Sequence, residues 1–370
     1  MKISFVDLEA QYQSIKPAID KAWIKGFTSF RYIGGERVAG FENQFKKRLG
    51  VEHCVATSNG TSSLYLILRA LGIGPGDEVI TPAFSWISSS ETISLCNATP
   101  VFVDVDPVTY TLNAALAERH ITSRTKAIIV VHLYGHAADI VRFRKICKKK
   151  KLLLIEDCAQ AHLTLVNGQP VGTFGDAAAF SFYPTKNLGA YGDAGCIVTR
   201  RAALARHIRR LGNHGALRKD DHLIEGFNSR MDVIQAAFLS AKLPYLARWN
   251  ARRRAHAALY AQLLSGIDQV IPPVERQGTT HTFHLYVIRA KKRDQLKTYL
   301  EAQGIQTLIH YPKALPNTRA YAHLKLDRAS ISVSRTLEKE VLSLPIYPEL
   351  TDAKIRYVVR NIKDFYKKVK

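Results

Sequence analysis

Leu152-Leu153-Leu154-Ile155-Glu156-Asp157 is an apolar run that ends on two acids, and Ala177-Ala178-Ala179-Phe180-Ser181-Phe182 leads into Tyr183-Pro184-Thr185-Lys186-Asn187. Both runs have the length and apolar continuity of strands buried on both faces. An aspartate closing one such strand and a loop lysine following the next suit pyridoxal phosphate (PLP). The lysine would form a Schiff base with the aldehyde. The aspartate would keep the pyridinium nitrogen protonated, so that the ring can accept electrons.

Short β-branched runs alternate with helical patterns from about residue 50 to 200. The strands include Val79-Ile80, Pro100–Val103 and Ala127–Val131, and helices fit Ser62–Leu71 and Ile140–Lys150. Such alternation predicts an α/β fold, with a mostly parallel central sheet covered by helices. Ligands of such sheets sit outside the carboxyl ends of the strands, where Asp157 ends its strand and Thr61 opens a helix.

The stretch from about 232 to 263 is helical, with Asp232 as a plausible N-cap and Pro244 as a break. It divides the chain into a large domain, residues 1–245, and a smaller C-terminal α/β domain, residues 246–370. The smaller domain is expected to hold a strand over Thr282–Ile288, a helix around Arg293–Gln303, a second strand around Ile305–Ile309, and C-terminal helices.

A length of 370 residues, 46% hydrophobic and 23% charged, describes an ordinary globular protein. No apolar stretch reaches the roughly 18–20 residues of a membrane span. The N-terminus meets Asp7 too soon for a signal peptide. A cytoplasmic protein without a membrane partner is expected. Five scattered cysteines read as reduced core thiols, with no spacing for a metal site. The net charge of +22 is spread through Lys148–Lys151, Arg252–Arg254 and the C-terminal lysines. No basic-aromatic recognition motif accompanies it, so nucleic acid is not an expected partner. A PLP-binding regulator or nucleic-acid-binding protein is the non-enzyme alternative, and it rests on charge alone.

Ser58-Asn59-Gly60-Thr61-Ser62-Ser63 lies between a strand and a helix. It reads either as a capped turn or as an anion cradle of helix-start N–H groups and hydroxyls. Ser181 could add another phosphate donor. Trp86, just after a strand, reads either as a core residue or as a platform for a flat ring. Gln160 and His162 could each reach a ring oxygen or Asp157. Tyr183, His310 and Tyr311 are loop aromatics that could contact substrate or make ordinary structural hydrogen bonds.

The chain resembles the DegT/DnrJ/EryC1/StrS sugar aminotransferases, a fold-type I PLP group, from about Phe5 to Tyr366. The resemblance is carried by Asn59-Gly60-Thr61, Gly74–Val79, Pro100–Asp106, Val131–Gly135, Glu156–Ala161, Ser181–Gly195, Asn213-His214-Gly215, Asn228–Asp232 and Ile309–Pro312. It implies that Lys186 is the Schiff-base lysine and proton shuttle, and that Asp157 pairs with the pyridinium nitrogen. Gln160 would bond the ring hydroxyl, and Trp86 would stack on the ring. Gly60, Thr61 and Ser181 would hold the phosphate, with Asn228 reaching it from a partner subunit. Tyr183, Lys219, His310 and Tyr311 would line the sugar-nucleotide site, Lys219 also from the partner. A homodimer with shared active sites is thereby implied.

The implied activity moves an amino group from glutamate to a keto group of a dTDP- or UDP-linked deoxy sugar, with pyridoxamine phosphate as the intermediate cofactor form. A 3-keto-6-deoxyhexose, for surface-polysaccharide or glycoside biosynthesis, is the leading acceptor. A 4-keto sugar or an aminocyclitol is the alternative. Two departures stand out. Asp220 occupies a position where many relatives of the 3-aminotransferase branch carry an aromatic, and Leu163-Thr164 replaces a common small pair.

Overall fold

The computed structural model describes residues 1–28, 30–324 and 328–369. Its centre is a seven-stranded sheet. Across the sheet the order is His53–Thr57, Gly195–Thr199, Ala177–Ser181, Leu153–Asp157, Thr125–Val131, Glu78–Pro82 and Thr99–Val103. Gly195–Thr199 runs antiparallel to both of its neighbours, and the remaining pairs are parallel.

Alternate side chains of each strand leave opposite faces, so one strand feeds two cores. Ile128, Val130 and Leu154 pack on one side, and Ala127, Ile129 and Ile155 on the other. Register brings the functional ends together. Val131 lies opposite Asp157, and Asp157 lies opposite Ala179. Thr57 and Ser181 both face Gly195.

Local chemistry sets the helix ends. Asn59 Oδ1 accepts from Ser62 N at 2.8 Å and caps Gly60–Ala70. Asp139 caps Ile140–Lys150, whose lysine run fills the last turn, where cations suit the helix dipole. Lys151 ends that helix in the left-handed region, at φ 56°. The sequence +22 charge is thus partly a helix terminus. The five cysteines are free and buried.

Asp232 stands at the N-cap of Val233–Lys242, but its side chain makes no capping bond. Pro244 sits in a single 3-10 turn, Leu243–Tyr245, that joins this helix to Leu246–Leu264. Beyond it, a three-stranded antiparallel sheet orders Val270–Ile271, Tyr286–Ala290 and Val341–Leu344.

Two expectations are corrected here. The strand expected from Thr282 starts at Tyr286, because Thr282 and Leu285 donate instead to the Gly135 and Tyr134 carbonyls. Ile305–Ile309 forms no strand. It makes isolated bridges, Ile305 to Ile3 and Leu308 to Ser343, while Val341–Leu344 takes the ladder position. The bridge to Ile3 draws the N-terminal segment onto the C-terminal unit.

Glu156 is fully buried beside Asp157. Its carboxylate accepts N–H groups from Gly172, Phe174 and Gly175, each at 2.8 Å, and pairs with His132 Nε2 at 3.0 Å. These bonds pin the segment between two central strands. With Cys158 the group forms a tight His-Glu-Cys cluster, but the carboxylate oxygens are already committed. Glu156→Gln turns an amide donor toward N–H donors. We expect a loss of about 2–3 kcal/mol, read as a lower urea midpoint with an unchanged slope. Wild-type stability in that variant contradicts the role given to Glu156.

Candidate active site

The carboxyl edge of the large sheet and loops of the C-terminal unit enclose a cavity of ≈ 760 Å³. Gly60, Thr61, Trp86, Asp157, Gln160, Ser181, Tyr183, Lys186, His310 and Tyr311 all line it. Ten residues singled out from the sequence therefore meet in one place.

Asp157 is positioned by strand pairing and by a backbone bond, Ala159 N to Oδ1 at 3.0 Å. Burial pushes its carboxyl above the usual range, opposed by the Ala159 N–H and by the charges of Lys186 and His132. A nearby proton-bearing cation would restore the anion. Lys186 sits on a tight loop, with its N–H on the Tyr183 carbonyl at 2.8 Å. Burial lowers its ammonium to about 8, with Asp157 pulling the other way.

At the opposite end, Gly60 and Thr61 open a helix against Ser181. A Cβ on Gly60 would lie 2.7 Å from Ser181 Cβ, so only glycine allows this approach. Thr61 Oγ1 meets Ser88 Oγ at 2.7 Å. This close pairing of helix start and hydroxyls has the donors that an anion cradle needs, beside the Asn59 cap. Trp86 is 58% exposed and tilts toward Tyr311, with ring centroids 5.8 Å apart. It is a platform on the cavity wall, not a core residue.

Gln160 Oε1 accepts from Tyr134 N at 2.6 Å, so the amide has one orientation. Its Nε2 turns toward the site and donates to Tyr311 OH at 2.9 Å. His310 is lowered to about 4 by burial and by Lys186, and its Nδ1 meets Ser343 Oγ at 2.8 Å. Carboxylate, amine, phosphate cradle and ring platform together fit PLP.

One reading changes. His162 does not reach the site. It is buried against Phe180 and Phe182 and is lowered to about 3, chiefly by burial. Asn228 lines a neighbouring depression with Ser58, Arg230 and Asp232, which shares Asp193 with the main cavity. Lys219 lies on an exposed segment and does not line the cavity. A single chain does not bring these last two into the site. The departure at Thr164 is absorbed structurally, since its hydroxyl bridges the Gly135 carbonyl and Thr282 Oγ1, each at 2.9 Å.

The cavity also holds Phe5, Asp193 and His284, which sequence reasoning did not single out. Phe5 stacks on His310 at 5.8 Å. His284 lies in a run read as plain strand, and its only local signal was a polar ring among apolar neighbours.

Comparison with known proteins places the chain in a family. The family model "DegT/DnrJ/EryC1/StrS aminotransferase family" matches residues 13–363. The chain is 43% identical to a "pleiotropic regulatory protein" of Geobacillus stearothermophilus, covering 99% of each chain. It is 43% identical to the dTDP-3-amino-3,6-dideoxy-alpha-D-galactopyranose transaminase of Aneurinibacillus thermoaerophilus, covering 98% of this chain and 99% of that one. The crystal structure of Streptomyces venezuelae DesV superposes with a TM-score of 0.96 at 40% identity, over 98% of each chain. Related solved structures carry the cofactor in its PLP and pyridoxamine phosphate forms. This chain therefore belongs to the DegT/DnrJ/EryC1/StrS aminotransferase family, and its cofactor is PLP.

Proposed function

We propose that this transaminase moves an amino group from L-glutamate to the keto group of a dTDP- or UDP-linked deoxy sugar, with a 3-keto-6-deoxyhexose as acceptor. The observation that carries the reading is the convergence of Lys186 and Asp157 on one cavity with a phosphate cradle. The acceptor is supported by the Aneurinibacillus relative, whose name gives a 3-amino-6-deoxy sugar on dTDP.

PLP, when bound, supplies an aldehyde to take the amino group and a ring to store the electron pair released at carbon. The remaining work belongs to the chain. Gly60, Thr61 and Ser181 would hold the phosphate, and Trp86 would lie against the ring. Asp157 would keep the ring nitrogen protonated. Lys186 Nζ would carry a proton from the donor's carbon to the cofactor in the first half-reaction and from the cofactor to the sugar carbon in the second. Its lowered basicity leaves a usable free-amine fraction near neutral pH. Tyr183, His310 and Tyr311 face the sugar. Asn228 and Lys219 complete the phosphate and nucleotide ends from a second copy in a homodimer. Among the described residues no helix is long and apolar enough to cross a membrane, and we infer a cytoplasmic enzyme.

A panel of nucleotide-linked amino sugars, run in reverse with 2-oxoglutarate and followed by mass spectrometry, tests the substrate. Deamination of 3-amino-6-deoxy sugars is expected. Exclusive deamination of 4-amino sugars or aminocyclitols overturns the acceptor.

A further inference from the structure

Asn187 follows Lys186 directly and is almost fully buried. Its side-chain amide is fixed at both ends. Nδ2 donates to the Thr282 carbonyl at 3.1 Å and to Asn250 Oδ1 at 2.8 Å. Asn250 in turn donates from its own Nδ2 to the His162 carbonyl at 2.8 Å. Backbone carbonyls only accept, so each amide has a single orientation. Asn187 must then present Oδ1 to its remaining neighbour, His284 Nδ1, at 3.2 Å. That contact requires the proton on Nδ1.

Burial and the charges of Lys186 and Arg253 keep the His284 ring neutral, with His310 and His162 also facing it. A neutral ring protonated on Nδ1 carries its lone pair on Nε2. His284 lines the same cavity as Lys186. With Nδ1 engaged behind, Nε2 is the ring nitrogen left for the cavity.

We propose that His284 is a positioning residue for Lys186: its Nε2 lone pair accepts a hydrogen bond from the freed lysine ammonium and holds it in place between proton transfers. The residue next to the lysine thus sets the tautomer of the ring that receives the lysine. The proposal rests on the reading of Lys186 as the cofactor-bearing lysine. The competing role for His284 is a strut that only holds Asn187.

Two carboxamide substitutions separate the roles. His284→Asn can keep the bond to Asn187 but loses the cavity acceptor. His284→Gln can place an acceptor near the Nε2 position but loses the bond to Asn187. The readout is trace acetylation of the apo-enzyme across pH, mapped to Lys186 by mass spectrometry, with no turnover involved. In the wild type the midpoint is expected at about 8.

Removing an acceptor from the ammonium favours the free amine, so His284→Asn should move the midpoint down by about one pH unit. His284→Gln should stay within about 0.3 of wild type. In turnover, kcat of His284→Asn should fall about tenfold with an unchanged KM for the sugar. An unshifted Asn variant beside a shifted Gln variant makes His284 a strut and overturns the proposal. No shift in either variant overturns it too. Borohydride fixation of PLP in the wild type tests the parent reading separately. An adduct on a different lysine sinks that reading, while the Lys186 midpoint still reports on His284.

Discussion

Lys186→Ala loses transamination by at least about a thousandfold, the combined effect of removing a covalent anchor and a proton carrier. The variant still retains pyridoxamine phosphate, because Gly60, Thr61, Ser181 and Trp86 are untouched by the change. Single-turnover absorbance measurements of the pyridoxamine phosphate-loaded variant with 2-oxoglutarate show both results at once: bound cofactor and no conversion. Conversion at the wild-type rate would mean that another lysine carries the chemistry. A second signature comes from stability of the apo-protein. Burial lowers Lys186 from 10.5 to about 8. Between those values the unfolded chain holds a proton that the folded chain has released. Stability from this group therefore rises with pH from about 8 to 10.5. Lys186→Ala should lack that rise.

Asp157→Asn slows transamination at least about tenfold, since a charge-assisted bond of roughly 1.5–3 kcal/mol to the ring nitrogen is lost. Burial already pushes the Asp157 carboxyl toward protonation, and its ionised form depends on neighbouring cations. The variant also removes the negative charge that supports the Lys186 ammonium. The Lys186 acetylation midpoint in the apo-enzyme should therefore fall. Stopped-flow half-reactions and pH-dependent acetylation give two independent readings. A wild-type rate with an unmoved midpoint is incompatible with Asp157 as the ring-nitrogen partner.

Much of the site was legible because its residues lie next to strand ends. Strands buried on both faces are written as continuous apolar runs; Asp157 ends one such run, and Lys186 lies in the loop after the next. What failed was direction. His162 is close to Asp157 in sequence, yet its ring packs into the core against Phe180 and Phe182. Sequence proximity carries no information about which way a loop side chain turns. Ile305–Ile309 had the apolar pattern of a strand, but its backbone bridges Ile3 and Ser343 instead. His284 could not be found locally, because its significance depends on Asn187, which is distant in the chain. Asn228 and Lys219 are a different case, since the roles implied for them need two copies of the chain.

The hydrogen bonds around Asn187 also set a schedule. A chain made from its N-terminus exposes Lys186 long before Asn250, Thr282 and His284 exist to hold the neighbouring amide. During synthesis the reactive amine belongs to a half-finished loop, and its partners arrive with the last third of the protein. Cofactor capture is accordingly expected late. In refolding, helix signal should recover before PLP becomes fixed, and nascent chains released before residue 284 should stay colourless.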